Sequence, residues 1–441
     1  MAANTQDRAI SGLVASFGAL GARARPRQIR DYEVLFVDEL TRIRATYLAL
    51  WDSTVRPADP LVLYNQVDKR KRLLAQLHSK DLPALKRQVV SLSKVLVGQL
   101  DGIVTPISKI QLVLKVLANL DTTMSKLKFA IACISPDLET GEVRHDKDFE
   151  KLKAFICSRL AARVYALTED VCELLQMYRD LIQEAGHDFG HLPQKKTQVL
   201  TTTEMCVDSI DEALAFMDKS ELNHIQDEWR ASIDLLDETL EAFARFASQA
   251  PSCFTEQSRH SAILQAMSRP EDDSEEHPDA DRRTETLILL QPRPGMPQAQ
   301  MTALVIASVK LSRLLMAQLL KISRDTNHFR MVPDSTTREL DVFVTLTTKL
   351  AISIKDVVLA LSEGIAEDRF DDPVFLRDSI AAVVSTPEVI LVMMDSFFVP
   401  LFGHDSPKIF HKYWFCQWNN LYRRAIKVYT ECVGSLVARR P

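Results

Sequence analysis

Apolar residues recur three and four positions apart along nearly the whole chain, and the alternating runs that build strands are almost absent. Ile110, Val113, Leu117, Leu120, Met124, Leu127, Ile131 and Ile134 form one stripe, with Pro106 placed to open its helix. A second runs from Phe149 through Leu152, Ile156, Leu160, Val164, Leu167, Val171, Leu174 and Tyr178 to Leu181, and Gly186 then supplies a stop. Leu222, Ile225, Trp229, Ile233, Leu236, Leu240 and Phe243 make a third. Leu340, Phe343, Thr347, Leu350, Ile354, Val357 and Leu361 keep a heptad, behind Thr336 and Glu339 at capping-box spacing. Stripes this long are buried only by other helices, so the expected fold is all-α: an elongated antiparallel multi-helix bundle.

The scarcity of glycine points the same way. Only 12 of 441 residues are Gly, against a usual share of roughly 7%. Phosphate-cradling loops need Gly, and the closest pairs (Gly18 and Gly21, Gly98 and Gly102, Gly186 and Gly190) fit neither the dinucleotide nor the P-loop pattern. A formal charge of −5 gives no general attraction to phosphate backbones, so a nucleic-acid site would have to be a local patch. The seven cysteines contain no C-x-x-C and read as thiols of a reducing compartment, which places the protein in the cytoplasm or nucleus. The stretch from Arg8 to Arg30 is Arg-rich and free of acids, as a mitochondrial transit peptide would be, but a frayed tail is the preferred reading. Lys310 and Arg313 interrupt the most apolar segment, Met301 to Ile322, so no membrane span is expected.

One break in composition divides the chain. Residues 250–300 carry the acidic run EDDSEEHPDAD and the proline-rich QPRPGMPQ, which bury too little apolar surface to offset their ordering entropy. The expected organisation is a tail at 1–27, a helical bundle at 28–249, an acidic linker at 250–300 and a helical region at 301–441.

Candidate chemistry fails on context. Asp272, Asp273 and Glu276 spell the D-D-x-x-E of helical terpene synthases, yet they lie between Pro270 and Pro278 with no second magnesium motif. Asp188-Phe189-Gly190 copies a kinase tripeptide without the other kinase elements. His187 and His191 stand at metal-ligand spacing, but beside two glycines and with no third ligand near in sequence. Asp368, Asp371 and Asp372 read as a loop. The sequence therefore assigns no catalytic residue, cofactor or metal. Ser268 and Ser274 are candidate phosphorylation sites beside acids.

The stretch FHKYWFCQWNNLYRRAIKVY, residues 410–429, mixes rings and cations as a nucleic-acid platform would. On a helix, however, Phe410, Trp414, Trp418, Leu421, Ala425, Val428 and Cys432 share one face, with Lys412, Asn419, Arg423 and Lys427 opposite. That separation predicts a core stripe and a solvated basic face. Glu271, Asp272, Asp273, Glu275 and Glu276 of the insert, together with Lys412, Arg423 and Lys427, are then the candidate partner-binding residues, and the insert covering that basic face is the expected mode of autoinhibition.

ELNHIQDEWRASIDLLDETLEAFARF, ASVKLSRLLMAQLLKIS, STTRELDVFVTLTTKL and VPLFGHDSPKIFHKYWFCQWNNL resemble successive segments of a helical family of basidiomycete fungi. More distantly, a helical body, an acidic insert (EDDSEEHPDAD) and a helical half opening with ALVIASVKLSRLL are similar to the cyclin-D-binding protein family. That resemblance implies a non-enzymatic protein binder acting on cell-cycle or transcription proteins. The alternatives weighed are a vinculin-like or catenin-like adaptor and an all-α enzyme.

Overall fold

The computed structural model describes residues 26–48, 66–97, 106–135, 146–186, 192–249, 298–326, 329–331, 335–366, 373–400 and 407–438. The fold is all-α, as the periodicity requires. In chain order the helices are α1 (Pro26–Leu48), α2 (Val67–Gln76), α3 (Leu82–Val97), α4 (Pro106–Ile134), α5 (Ala154–Ala185), α6 (Pro193–Asp218) and α7 (Glu221–Gln249). They are followed by α8 (Gln298–Arg324), α9 (Thr337–Ala366), α10 (Pro373–Phe397) and α11 (Pro407–Ala438). The strand pairing described is one short antiparallel ladder of β1 (Phe329–Met331) with β2 (Phe398–Pro400).

The chain divides into two compact units. The first comprises Met1–Glu221 together with Thr336–Arg338, and the second Leu222–Ser335 with Glu339–Pro441. Residues 222–249, read from sequence as the end of an N-terminal bundle, therefore belong to the second unit. The reason is packing: Trp229 of α7 sits edge-on to Phe343 of α9 at 5.6 Å, and its indole N–H donates to Thr347 Oγ1 at 3.2 Å. That bond also explains the polar residue in the fourth stripe. The acidic linker lies outside the described residues apart from its last three, which open α8.

In the first unit the α4 stripe is buried at every position from Ile110 to Ile134. The second stripe is buried too, but it is not one helix. Lys147–Leu152 forms a 3-10 turn, and α5 begins only after Lys153 leaves the helical region at ψ 141°. Inside that turn Glu150 takes φ 51°, ψ −123°, a strained conformation for a residue with a Cβ. Gly186 closes α5 at φ 65°, where a Cβ would also meet Glu33 Oε1 at 2.9 Å. Between α2 and α3 the residues Leu77–Asp81 form a π-turn, in which the Leu82 N–H donates to Leu77 O. Pro83 accounts for it, because its ring lacks an N–H and would press on the Ser79 carbonyl in a regular helix.

The second unit meets the same difficulty at Pro387, inside α10. Val383 O thereby loses its helical donor, and the Tyr422 hydroxyl of α11 supplies one at 3.0 Å. By length and composition alone two stretches could cross a membrane, Thr302–Arg324 and Leu376–Phe397. Both place side chains in the core of the unit, among them Val309, Leu315 and Leu319 of α8 and Val383, Ile390 and Met394 of α10.

Candidate functional site

The aromatic helix α11 is a packing element. Trp418 is 3% exposed, its ring stacks on Tyr422 with centroids 4.8 Å apart, and its indole N–H donates to Leu311 O of α8 at 2.8 Å. Trp414 lies 6.5 Å beyond in a near-parallel ring. The polar tips of Trp418 and Tyr422 are thus spent on neighbouring backbone carbonyls, and neither ring is open to stack on a base. The buried face is rotated from the expected one. Phe415, Trp418, Tyr422 and Ile426 line it, joined by Val428, whereas Leu421 is 56% exposed and Trp414 and Ala425 are half-buried. The side chains of Phe410 and Cys432 lie outside the described set.

Of the cations of that helix, Lys412, Arg423 and Lys427 are exposed, as expected, but two of these three have partners on α10. Lys412 Nζ lies 3.3 Å from Asp395 Oδ2, and Arg423 pairs with Glu388. These carboxylates partly neutralise the row on which the insert was expected to dock. The insert acids Glu271, Asp272, Asp273, Glu275 and Glu276, the serines Ser268 and Ser274, the tripeptide at 188–190 with its flanking histidines, and the 368–372 acids all lie outside the described residues.

A denser polar arrangement, which the sequence reading missed, stands in the first unit. Arg70 is buried where the run DKRKR brings a base into the apolar phase of α2. Its Nη2 donates to Ile134 O, the last residue of α4, at 2.7 Å and to Leu152 O at 3.3 Å, so one guanidinium caps two chain segments. Lys109 caps α3 at Leu96 O and Lys151 caps α6 at Met217 O, each at 3.1 Å. Beside Arg70, buried Asp146 accepts from the Ala154 N–H at 2.9 Å, the Thr337 N–H at 3.0 Å and the Thr337 hydroxyl. The Phe155 N–H donates in turn to Thr337 Oγ1 at 2.9 Å. Lys153, whose side chain is 2% exposed, reaches Glu221 Oε1 at 3.0 Å.

Lys153 pairs with Glu221 and Asp146 has three donors, but Arg70 gives Nη2 to backbone carbonyls and its buried Nε has no hydrogen-bond partner. Burial pushes the Cys157 thiol up to about 12 although Arg70 opposes the shift, and burial likewise raises Cys172 to about 11 and Cys206 to about 12. Nucleophilic thiols need the opposite shift. Among the described residues no group of three or more His, Cys, Asp or Glu is placed to hold a metal ion.

Fold and joint together define an all-α protein of two helical units, the first closed by buried ions. Residues 70–218 match the model of a domain of unknown function, DUF8723, and residues 220–431 match that of a second, DUF8721. No curated protein and no solved structure matches the chain. The joint draws on both matched segments: Arg70, Asp146 and Lys153 come from the first, Glu221 and Thr337 from the second.

Proposed function

We propose that the protein is a non-enzymatic helical interaction protein. The observation that carries this reading is the outer surface of α10 in the second unit. That helix holds a stretch of mean hydropathy 1.6 of which only 33% is buried, and it turns Val374, Val384, Val389 and Val392 to solvent, the last 69% exposed. Apolar surface concentrated on one element marks contact with another molecule more often than a solvated face. The Lys153–Glu221 pair and the raised thiols of Cys157, Cys172 and Cys206 fit a role without bond-making chemistry. The resemblance to cyclin-D-binding proteins favours cell-cycle or transcription proteins as the partners, in cytoplasm or nucleus.

The test is affinity capture with the full chain and with a Val384→Asp, Val392→Asp variant whose melting temperature matches wild type. Capture of cyclins or helix-loop-helix factors by wild type and their loss from the variant supports the reading. Equal capture by both overturns the assignment to α10, and recovery of actin-linked proteins instead supports an adaptor.

A further inference from the structure

We infer that the first unit carries a docking face for an anionic lipid surface, built from α3, its preceding π-turn and α4. The residues from Val67 to Val97 hold eight bases, Lys69 to Arg72, Lys80, Lys86, Arg87 and Lys94, against two acids, Asp68 and Asp81. Folding removes several of these charges from solvent or pairs them. Arg70 goes inside, Lys71 meets Glu150 at 3.3 Å, and Lys86 meets Asp211 at 2.6 Å. Five remain exposed, Lys69 and Arg72 on α2 and then Lys80, Arg87 and Lys94, the last three seven residues apart. Seven residues are about two helical turns, so these three form a ridge with steps of roughly 10 Å.

Helix α4 runs alongside. Gln88 Nε2 donates to Asn119 O at 3.2 Å and to Thr123 Oγ1 at 2.9 Å, and Lys109 ties the start of α4 to the end of α3. Its exposed row adds Lys115 and Lys126 to the ridge, with Asn119 and Thr122 on that row and Ser91 on α3 as small polar filling. The acids of these helices are turned away: Asp81 is buried, and Asp121 accepts from Arg42 at 2.7 Å and from Tyr47 at 2.9 Å on the α1 side. Among the described residues none of the ridge's five cations pairs with a carboxylate.

Two apolar side chains stand on the same α4 row, at its opposite ends. Leu112 is exposed, and Phe129 is 55% exposed with Lys69 Nζ lying 5.8 Å from its ring centroid. Five cations without carboxylate partners, bordered by Asp211 and Asp218 of α6 that engage Lys86 and His78, fit a broad sheet of phosphates, to which each base adds attraction within about a Debye length, roughly 8 Å. Phe and Leu at the margins fit the interfacial layer beneath those phosphates. A single nucleic-acid strand would instead call for rings between the cations. An acidic protein segment would leave the apolar tips without a use.

The experiment floats the full chain on vesicles of phosphatidylcholine with and without phosphatidylserine, at low and high salt. Wild type should bind only the phosphatidylserine vesicles and weaken with salt. Arg87→Glu with Lys94→Glu should lower binding by about tenfold or more, and Phe129→Ser should lower it while leaving the salt dependence in place. Lys321→Glu, an exposed base on α8, should change nothing. No binding to phosphatidylserine vesicles at low salt overturns the inference, as does an equal loss from Lys321→Glu. Tighter binding to duplex DNA or polyglutamate, lost in the same double variant, assigns the face to another polyanion and also overturns it. The three variants alter exposed side chains, so matched melting curves separate these outcomes from misfolding. The result is independent of capture through α10.

Discussion

Among the described residues, the buried polar groups of the first unit include Arg70, Asp81, Asp146 and Lys153, whereas those of the second are hydroxyls, the Gln226 amide and the His224 imidazole. Ion pairs of the second unit, such as Arg423 with Glu388 and Lys412 with Asp395, lie toward its surface. The two mid-helix prolines show the same division at single-residue scale. Around Pro83 the backbone itself yields, widening into a π-turn whose buried Asp81 accepts from Gln76 at 3.0 Å. Around Pro387 the helix continues and a neutral tyrosine supplies the missing donor. Both units must satisfy buried backbone groups, but an ion brings a desolvation cost that a phenol or indole does not. The first unit should therefore respond to charge, and the second to the loss of ring and hydroxyl.

The largest effect is expected at Trp418. Its replacement by Ala should cost about 3–5 kcal/mol of unfolding free energy, since stack, burial and the Leu311 bond are lost together. Trp418→Phe should lose about 1 kcal/mol for the N–H bond plus a smaller packing term. A wild-type thermal melt for Trp418→Ala would place the ring outside the core. At the ionic joint the two partners should differ. Glu221→Leu strands a Lys153 that cannot reach water and should cost about 3–5 kcal/mol. Lys153→Met leaves Glu221, 22% exposed, which hydrates in part and should cost less. The double variant should lie near wild type in chemical denaturation. If the single costs simply add, the pair is not coupled.

Tyr422→Phe should cost about 1–3 kcal/mol by leaving Val383 O buried without a donor. In a Pro387→Ala background the helix supplies its own N–H, and the same change should cost under about 1 kcal/mol. Equal costs in both backgrounds would show that the hydroxyl is not answering the proline. The smallest effect is one of pH. Burial raises the Glu221 carboxyl above its ordinary value, with Lys153 opposing. A raised folded value means that this group favours folding most below the ordinary range, near 4.5, and that the contribution is lost as pH rises through the folded value. Stability of the first unit between neutral and mildly acid pH should lose that component in Glu221→Gln, while melts of Tyr422→Phe keep it.

The stripes of α4, α5 and α9 were legible because long one-sided helices leave a periodic trace, and all their positions proved buried. The stripe of α11 was legible as a core element but not in its rotation. Apolar residues occur nearly all round that helix, so Leu421 and Tyr422 compete for the buried face on periodicity alone. What decides between them is the orphaned carbonyl made by Pro387 on another helix, which no pattern within 410–432 contains. The joint was less legible still. The bonds of Arg70 to Ile134 and of Asp146 and Phe155 to Thr337 span 64 to 191 residues, and an isolated base, acid or hydroxyl in sequence carries no sign of such a contact. The break at Lys153 hid within a stripe that keeps its phase across it.

Because Thr336–Arg338 complete the first unit, that unit cannot be finished when its own long stretch of chain ends at Glu221. A ribosome adding about 5–20 residues per second needs on the order of 10 s more to reach them. Throughout that interval the Asp146 carboxylate waits without two of its three donors and the Phe155 N–H without its acceptor. The first unit's Asp146 and Phe155 therefore acquire their Thr337 partners only after more than a hundred further residues have been made.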